Sequence, residues 1–229
     1  MKQTTQVILT LGLLYGGLLM AIGSEASHSG NTIALPAPDT TGTLTLEHTL
    51  LHRRSVRDFT GHPLSLMQLS QVLWATQGVT RPQEGKRTAP SAGALYPMEL
   101  YAVVGAVEDI EPGVYKYMPE SHALLMHHPG DARTELSRAT GTQQWIAKTP
   151  VILALCGVYE RVTTKYGDRG IRYTHIEVGC VAENVYLQAA ALELGTVLMG
   201  AFRDAVVRQV LDLPERERPF GLMPVGYLQ

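Results

Sequence analysis

Hydrophobic positions along the chain alternate between helical and strand-like spacing. Helical spacing predicts five helices, at about residues 44–52, 65–78, 131–140, 174–194 and 204–211. Thr45 is the expected N-cap of the first helix, and residues 65–68 form a capping-box pattern at the start of the second. The fourth is apolar almost all round, which predicts a position at the centre of the molecule or at an interface.

Alternating or continuous apolar segments predict the strands. These segments lie at about residues 98–104, 113–128 (a hairpin), 151–156, 196–199 and 222–227. The continuous apolar run at 151–156 is typical of a central strand that is covered on both faces. Because helices and strands mix without regular βαβ alternation, the sequence predicts an α+β fold.

Three polar residues interrupt the apolar helix at 174–194. Glu177, Asn184 and Gln188 are spaced i, i+7 and i+11, so they share one helix face. Polar groups on a buried helix need hydrogen-bond partners. A second subunit, the protein core itself or a ligand could supply them.

The N-terminus has the composition of a targeting segment. Lys2 is the only charged residue before the apolar run at 7–22, and small residues follow at the positions that matter for cleavage. Residues 1–26 therefore predict a Sec-type signal peptide and an exported, periplasmic protein; an uncleaved N-terminal membrane anchor is the alternative. Residues 27–43, rich in Ser, Gly, Pro and Thr, predict a flexible linker or an extended arm, outside the core, before a single domain at 44–229.

Charge and composition narrow the classes of partner. The net charge of -2 argues against nucleic acid, and we expect membrane contact only through an uncleaved N-terminal segment. Cys156 and Cys180 lie inside apolar segments and are expected to be buried thiols. The histidines show no metal-ligand spacing, and the adjacent His127 and His128 would face opposite sides of a strand. We predict no metal site.

Two stretches could bind a charged, flat ligand. The cluster Arg53-Arg54-Ser55-Val56-Arg57 follows a predicted helix, and guanidinium groups match phosphate oxygens in charge and geometry. The alternative is a solvated basic helix end. Small residues between Pro90 and Pro97 would let the backbone approach a flat ligand closely, or form a plain tight loop.

A third stretch carries candidate catalytic groups. Lys165 and Tyr166 lie in a predicted loop, residues 160–173, that is bracketed by glycines and follows the buried strand. A lysine with a depressed pKa could act as a base, and a tyrosine could relay a proton. A solvated charged loop is the alternative.

Together these segments resemble the nitroreductase superfamily, specifically its SagB/ThcOx-type dehydrogenase branch. The resemblance covers residues 46–228 and rests on the order and spacing of matching stretches at 53–57, 90–97, 113–117, 165–173, 177–189, 199–202 and 224–226. It implies a central, mostly antiparallel sheet wrapped by helices. It also implies a homodimer with FMN at the subunit interface.

The resemblance assigns expected roles residue by residue. The FMN phosphate and ribityl chain would lie against Arg53, Arg54, Ser55 and Arg57. The flavin ring would lie against Pro90, Ser91, Ala92 and Gly93. Backbone N–H groups of a turn would face the hydride-accepting edge of the ring at Met199, Gly200 and Ala201. The substrate side of the flavin would carry Lys165 and Tyr166.

The implied activity is FMN-dependent hydride transfer. The expected donor is NADH or NADPH, bound transiently, and the expected substrate is a small organic or peptide-derived molecule. Two alternatives are an azoline dehydrogenase in peptide modification and a non-catalytic flavin-binding redox carrier or sensor. The sequence departs from the family pattern in having no Lys or Arg after Arg218, where many members carry basic residues near the phosphate. Arg203, at the start of a predicted helix, has no expected role.

Overall fold

A seven-stranded antiparallel sheet forms the centre of the protein. The computed structural model describes residues 32–229; the predicted signal peptide at 1–26 lies outside them. The strands of the sheet are β1 (Thr32–Ala34), β4 (Met98–Val104), β5 (Gly113–Met118), β6 (Ala123–Pro129), β7 (Val151–Gly157), β8 (Leu194–Thr196) and β9 (Arg218–Tyr227). They lie in the order β1-β6-β5-β4-β7-β9-β8. A small separate hairpin pairs β2 (Val79–Arg81) with β3 (Lys86–Arg87).

The strand predicted to be central holds that position. β7 pairs antiparallel with β4 on one side and β9 on the other, and all seven of its residues are buried. Its continuous apolar sequence fits because both faces of the sheet are covered.

Within residues 32–229, six α-helices surround the sheet. They are α1 (Leu46–His52), α2 (Leu66–Gln77), α3 (Arg133–Ala139), α4 (Glu160–Tyr166), α5 (Arg169–Ala191) and α6 (Asp204–Val210). Local sequence explains two helix starts. The Thr45 hydroxyl accepts the His48 N–H at 3.2 Å, and Ser65 with Gln68 forms the predicted capping box.

Each face of the sheet has its own core. One core packs α2 and α5 against the sheet through residues such as Leu69, Leu73, Val181 and Val185. The other packs α3 and α6 against the opposite face, through residues such as Leu136 and Val207. The predicted α+β fold, with an antiparallel sheet wrapped by helices, is confirmed. Among residues 32–229, no helix has the length and apolar character needed to cross a membrane.

The core itself satisfies the polar stripe on α5. Gln77 Nε2 donates to Glu177 Oε1 at 3.3 Å, and Gln71 Nε2 donates to Gln188 Oε1 at 3.2 Å. Asn184 Nδ2 donates to the Ala75 carbonyl at 2.9 Å. All three partners belong to α2, so the stripe holds two helices together.

The prediction of a loop at 160–173 is wrong, because this stretch forms α4 and the start of α5. Its charges and glycines suggested a loop, but one glycine ends a helix and the other lets two helices pack closely. Gly167, at φ 56°, ends α4. A Cβ on Gly170 would lie 2.6 Å from the Thr163 backbone nitrogen, so only glycine lets the two helices pack this closely.

Part of the predicted linker belongs to the fold. β1 pairs with β6 at the sheet edge, Leu35 is buried, and the Asp39 N–H donates to Gln71 at 2.8 Å. From residue 32 onward, the segment predicted as a flexible linker is an extended arm bound to the sheet and α2.

The predicted opposite orientation of the two adjacent histidines is wrong. The β5–β6 register shifts between Val114 and Tyr115, which leaves His127 without a paired residue. His127 Nε2 lies 3.0 Å from the Asp212 carbonyl, and His128 Nε2 lies 3.0 Å from the Val210 carbonyl. A β-bulge breaks the two-residue alternation, so both rings contact the C-terminal end of α6.

Candidate functional site

The arginine cluster follows α1 and runs along the sheet edge beside β8. The Val56 N–H donates to the Thr196 carbonyl at 2.9 Å, and the Thr60 N–H donates to the Tyr227 carbonyl at 3.0 Å. A Cβ on Gly195 would lie 2.8 Å from a Val56 methyl carbon, so glycine in β8 permits this close approach. Backbone pairing therefore fixes the position of the cluster.

A groove of about 260 Å³ lies beside this segment. Arg53, Arg54, Thr196 and residues of the C-terminal half of α5 line it. The Arg53 guanidinium lies over the Tyr186 ring, 4.9 Å from its centre. Arg57 is exposed and does not line the groove. The sequence assigns Arg57 to the same cluster as Arg53 and Arg54, but in the structure Arg57 lies outside the groove that the other two line.

Two buried polar atoms of groove-lining residues are unsatisfied. Within residues 32–229, Arg53 Nε and Thr196 Oγ1 have no hydrogen-bond partner. Leaving a buried donor unpaired costs about 1–3 kcal/mol, more for a charged group, so such atoms usually meet a ligand or water. An anionic ligand in the groove would provide the acceptor that Arg53 lacks.

Tyr186 joins the arginine cluster to the 199–201 turn. Its hydroxyl lies 3.0 Å from Ser55 Oγ and accepts the Leu198 N–H at 2.8 Å. Sequence reasoning missed this residue, because a tyrosine in an apolar helix resembles an ordinary core residue. The sequence signal was its hydroxyl group, because a buried tyrosine hydroxyl usually needs a hydrogen-bond partner.

The 199–201 turn fits its expected role only in part. The Met199 N–H donates to the Leu222 carbonyl at 2.9 Å, so it is committed to the sheet and does not face a ligand. Gly200 and Ala201, which follow Met199 in the chain, are exposed. The expectation for the Met199 amide is therefore wrong, because this residue extends the pairing with β9.

A second group of predicted residues meets at the start of α5. A Cβ on Gly93 would lie 2.7 Å from the Tyr166 hydroxyl oxygen and 2.9 Å from Lys165 Nζ. The predicted small-residue loop and the predicted catalytic pair are thus in contact. Gly93 also has φ +63°, which a residue with a side chain adopts only at a cost.

Neighbouring contacts fix this second group. Lys165 and Tyr166 lie in the last turn of α4, and Arg161 of the same helix donates to the Tyr96 carbonyl at 3.0 Å. Arg161 also pairs with Glu99 on β4. The helix that carries the pair is therefore attached to the loop that carries Gly93.

One chain does not bring the two groups together. Tyr173 packs edge-on against Tyr166, with ring centres 5.2 Å apart, whereas Tyr186 contacts the arginine cluster. At 1.5 Å rise per residue, these two positions on α5 lie about 20 Å apart. The structure therefore shows two separate clusters towards opposite ends of one helix, which we call the arginine half-site and the Gly93–Lys165 half-site.

Comparison with known proteins identifies the family. The model described as "Nitroreductase family" matches residues 50–227. The chain belongs to the nitroreductase family. MJ1384 of Methanocaldococcus jannaschii is 47% identical over 197 residues, which cover 86% of this chain and 98% of that protein. The microcin B17-processing protein McbC of Escherichia coli is 27% identical over 158 residues, which cover 67% of this chain and 58% of McbC.

Solved structures agree with this assignment. A nitroreductase-type crystal structure from Ralstonia eutropha has a TM-score of 0.77 at 32% identity and covers 88% of this chain and 91% of its own. The NADPH:FMN oxidoreductase of Vibrio harveyi, complexed with NAD+, shares the fold, with a TM-score of 0.58 at 22% identity over 80% of this chain and 69% of its own. The protein is an oxidoreductase, and the match to McbC supports the SagB/ThcOx-type branch.

Other charged groups of this nitroreductase-family protein have structural roles. Lys116 Nζ lies 2.9 Å from Glu99 and 2.8 Å from the buried Glu217, which also accepts the Tyr101 hydroxyl at 2.8 Å. Burial alone would lower the pKa of Lys116, but its bonds to the two carboxylates outweigh burial and raise that pKa. Lys116 therefore stays charged. Arg203 Nη2 donates to the Arg138 carbonyl at 2.8 Å, so this residue ties α6 to α3.

Proposed function

We propose that this protein is an FMN-dependent oxidoreductase. It transfers hydride between a donor such as NADH or NADPH and a small organic or peptide-derived substrate. The observation that carries the proposal is the buried, unpaired Arg53 Nε beside the arginine-lined groove. Bound FMN would supply the hydride-accepting ring, and the protein would bind and orient it.

The residues of the groove suit the phosphate end of FMN. Arg53 and Arg54 line the groove together with one carboxylate, Glu193, and the Arg53 guanidinium lies over the Tyr186 ring. Guanidinium–phosphate hydrogen bonds are short and strong, and the Arg53 donor has no competing partner within the described chain. The phosphate site would therefore centre on Arg53, with Arg57 outside it.

A homodimer would bring the two half-sites together. The positions that mark them, Tyr173 and Tyr186, lie six and seven residues from Gly179, which is next to the middle of α5. If two copies of α5 crossed antiparallel at that point, Tyr173 of one copy would lie opposite Tyr186 of the other. Gly179 is exposed, and an added Cβ there would meet nothing within 4 Å. The apolar side chain of Ile176 is 57% exposed one turn away, which suits a helix contact.

In such a dimer, Lys165 and Tyr166 would lie on the substrate side of the flavin. Gly93 lets their polar ends approach the loop expected to face the ring. Lys165 Nζ also lies 5.4 Å from the centre of the Tyr166 ring. This pair could accept and return a proton as hydride moves between substrate and cofactor. Lys165→Ala should therefore lose turnover and keep FMN.

The second candidate is oxidation of azoline rings in a modified peptide. The specific support is the similarity to McbC, a protein named for processing microcin B17. The Lys165–Tyr166 pair has the chemistry that proton removal from such a ring requires. Anaerobic incubation with an azoline-containing peptide, with reduction of the flavin as the signal, separates this activity from reduction of small acceptors.

The sharpest test compares the FMN affinities of the Arg53→Ala and Arg57→Ala variants, each made in a protein that consists of residues 27–229. A hydrogen bond to a charged group contributes about 1.5–3 kcal/mol, so Arg53→Ala should weaken FMN binding roughly 10- to 150-fold. Arg57→Ala should change it much less. FMN fluorescence quenching measures both. A wild-type protein that binds no FMN would refute the proposal, and equal losses in both variants would move the phosphate site.

Turnover distinguishes an enzyme from a redox carrier or sensor. Stopped-flow mixing under anaerobic conditions should show bound flavin reduced by NADH or NADPH, followed by reoxidation by an organic acceptor. Flavin that no donor reduces would favour the carrier. We further propose export through residues 1–26; periplasmic protein beginning at Ser27 would support it, and full-length membrane-bound protein would favour the anchor.

A further inference from the structure

The loop that carries Gly93 has a strained backbone. Three of its residues have left-handed conformations: Gly93 at φ 63°, Ala94 at φ 53° and Tyr96 at φ 44°. Residues other than glycine keep such conformations only where their surroundings fix them, and they concentrate at functional sites. The loop therefore requires neighbours that hold it in this shape.

A series of contacts leads from α5 to this loop. Glu177 Oε1 accepts Gln77 Nε2 at 3.3 Å, and Gln77 Oε1 accepts Arg87 Nη1 at 3.2 Å. The Arg87 guanidinium lies 4.5 Å from the centre of the Tyr96 ring, and the Tyr96 N–H donates to Ser91 Oγ at 2.9 Å. We call this set the Glu177 network.

Glu177 is the buried carboxylate of this network. It is only 2% exposed. A buried carboxylate is unfavourable unless hydrogen bonds compensate it. Burial raises the pKa of Glu177, whereas Ser91, Gln77 and Arg87 act in the opposite direction. Glu177 touches neither Lys165 nor the arginine groove, so any effect on chemistry must pass through the loop.

We propose that Glu177 is a positioning residue: it holds the 91–96 loop in its strained shape and thereby aligns Gly93 with Lys165 and Tyr166 beside the flavin. The proposal rests on the proposed function, because the loop can act on a flavin only if FMN binds.

Glu177→Ala tests the proposal, with Asn184→Ala as the matched control. Asn184 is also a polar residue of α5 bonded to α2, through the Ala75 carbonyl, and it makes no loop contact. We expect amide hydrogen exchange of residues 91–96 in flavin-free protein to rise about tenfold in Glu177→Ala, since Gln77, which orients Arg87 against Tyr96, loses its hydrogen bond to a carboxylate. The control should leave this exchange unchanged.

Kinetics and the flavin spectrum supply the second measurement. Glu177→Ala should lower kcat about tenfold and shift the visible spectrum of bound FMN, while FMN affinity, set at the arginine half-site, changes less than about threefold. If Glu177→Ala does not fold, Glu177→Gln keeps the shape of the side chain and should show the same changes to a smaller extent.

Some outcomes would overturn the inference. Unchanged loop exchange in Glu177→Ala, or an equal rise in Asn184→Ala, would show that Glu177 does not hold the loop. An unchanged kcat would show that the loop shape does not matter to chemistry. A wild-type protein that binds no FMN refutes the proposed function instead, and the exchange measurement still reports on the loop.

Discussion

Replacing Gly93 by alanine should lower the turnover rate for one reason, displaced catalytic side chains, and the folding stability for another, backbone strain. The added Cβ would lie 2.7 Å from the Tyr166 hydroxyl oxygen and 2.9 Å from Lys165 Nζ, whereas ordinary contact begins at 3.4 Å. The two groups must therefore retreat by about 0.7 and 0.5 Å. Both are the ends of flexible side chains, so they move at little cost in folding free energy.

The backbone accounts for most of the stability change. Alanine in a left-handed conformation costs about 1–2 kcal/mol. Gly85 provides the matched control, because it has φ 61° and ψ 29°, close to the 63° and 18° of Gly93, and an added Cβ there would meet nothing within 4 Å. Gly85→Ala and Gly93→Ala should therefore lose similar unfolding free energy.

Activity should differ sharply between the two variants. A displacement approaching 1 Å of a reacting group can lower the rate about 100-fold. We therefore expect the kcat of Gly93→Ala to fall about 10- to 100-fold and the kcat of Gly85→Ala to stay unchanged. Urea denaturation measures stability, and anaerobic stopped-flow reduction and reoxidation of the flavin measures rate. Equal rates in the two variants would refute the placement of Lys165 and Tyr166 beside the reacting atoms.

Three further predictions test the dimer, the buried charges and the titration of Glu177. Gly179→Leu should favour the α5 helix by about 1 kcal/mol but block the proposed helix crossing, giving a monomer without flavin in light scattering; a flavin-loaded dimer would contradict the crossing. Lys116→Met should destabilise the protein by about 3–5 kcal/mol in urea, because Glu217 loses its cation; a loss below about 1 kcal/mol would contradict this. The pKa of Glu177 is raised above the ordinary value of 4.5, so its contribution to stability is present below that pH and is lost as pH rises through the folded-state pKa. The unfolding free energy of the wild type relative to Glu177→Gln should therefore fall with rising pH, and a constant difference would argue against burial of the charge.

Local chemistry explains what could be predicted from the sequence. The capping box at Ser65 and the N-cap at Thr45 depend on residues three positions apart, so a short stretch contains the whole signal. β7 was predictable because complete burial requires an unbroken apolar run. The contact between Gly93 and the Lys165–Tyr166 pair was anticipated only through resemblance, since these residues are far apart in the chain.

Tertiary contacts explain what the sequence hid. The packing of Gly170 on Thr163 turns a charged stretch into two helices, and no local pattern records that contact. The same limit applies to Met199, whose amide bonds to the distant β9. Tyr186 and Glu177 gain their importance from neighbours more than 80 residues away in sequence, Ser55 at a separation of 131 and Gln77 at 100.

The long helix α5 explains why both half-sites depend on one element. Its C-terminal half supports Arg53 through Tyr186, Glu177 on its buried face connects through Gln77 and Arg87 to the 91–96 loop, and its first turns pack on the helix of Lys165. A rigid helix keeps Tyr173 and Tyr186 about 20 Å apart along its axis within a single chain. In the proposed dimer the same rigidity would set the spacing across the two-fold axis, so one helix would define both halves of each site. Binding and chemistry would then be coupled to dimer formation, because each complete site would use residues of both copies.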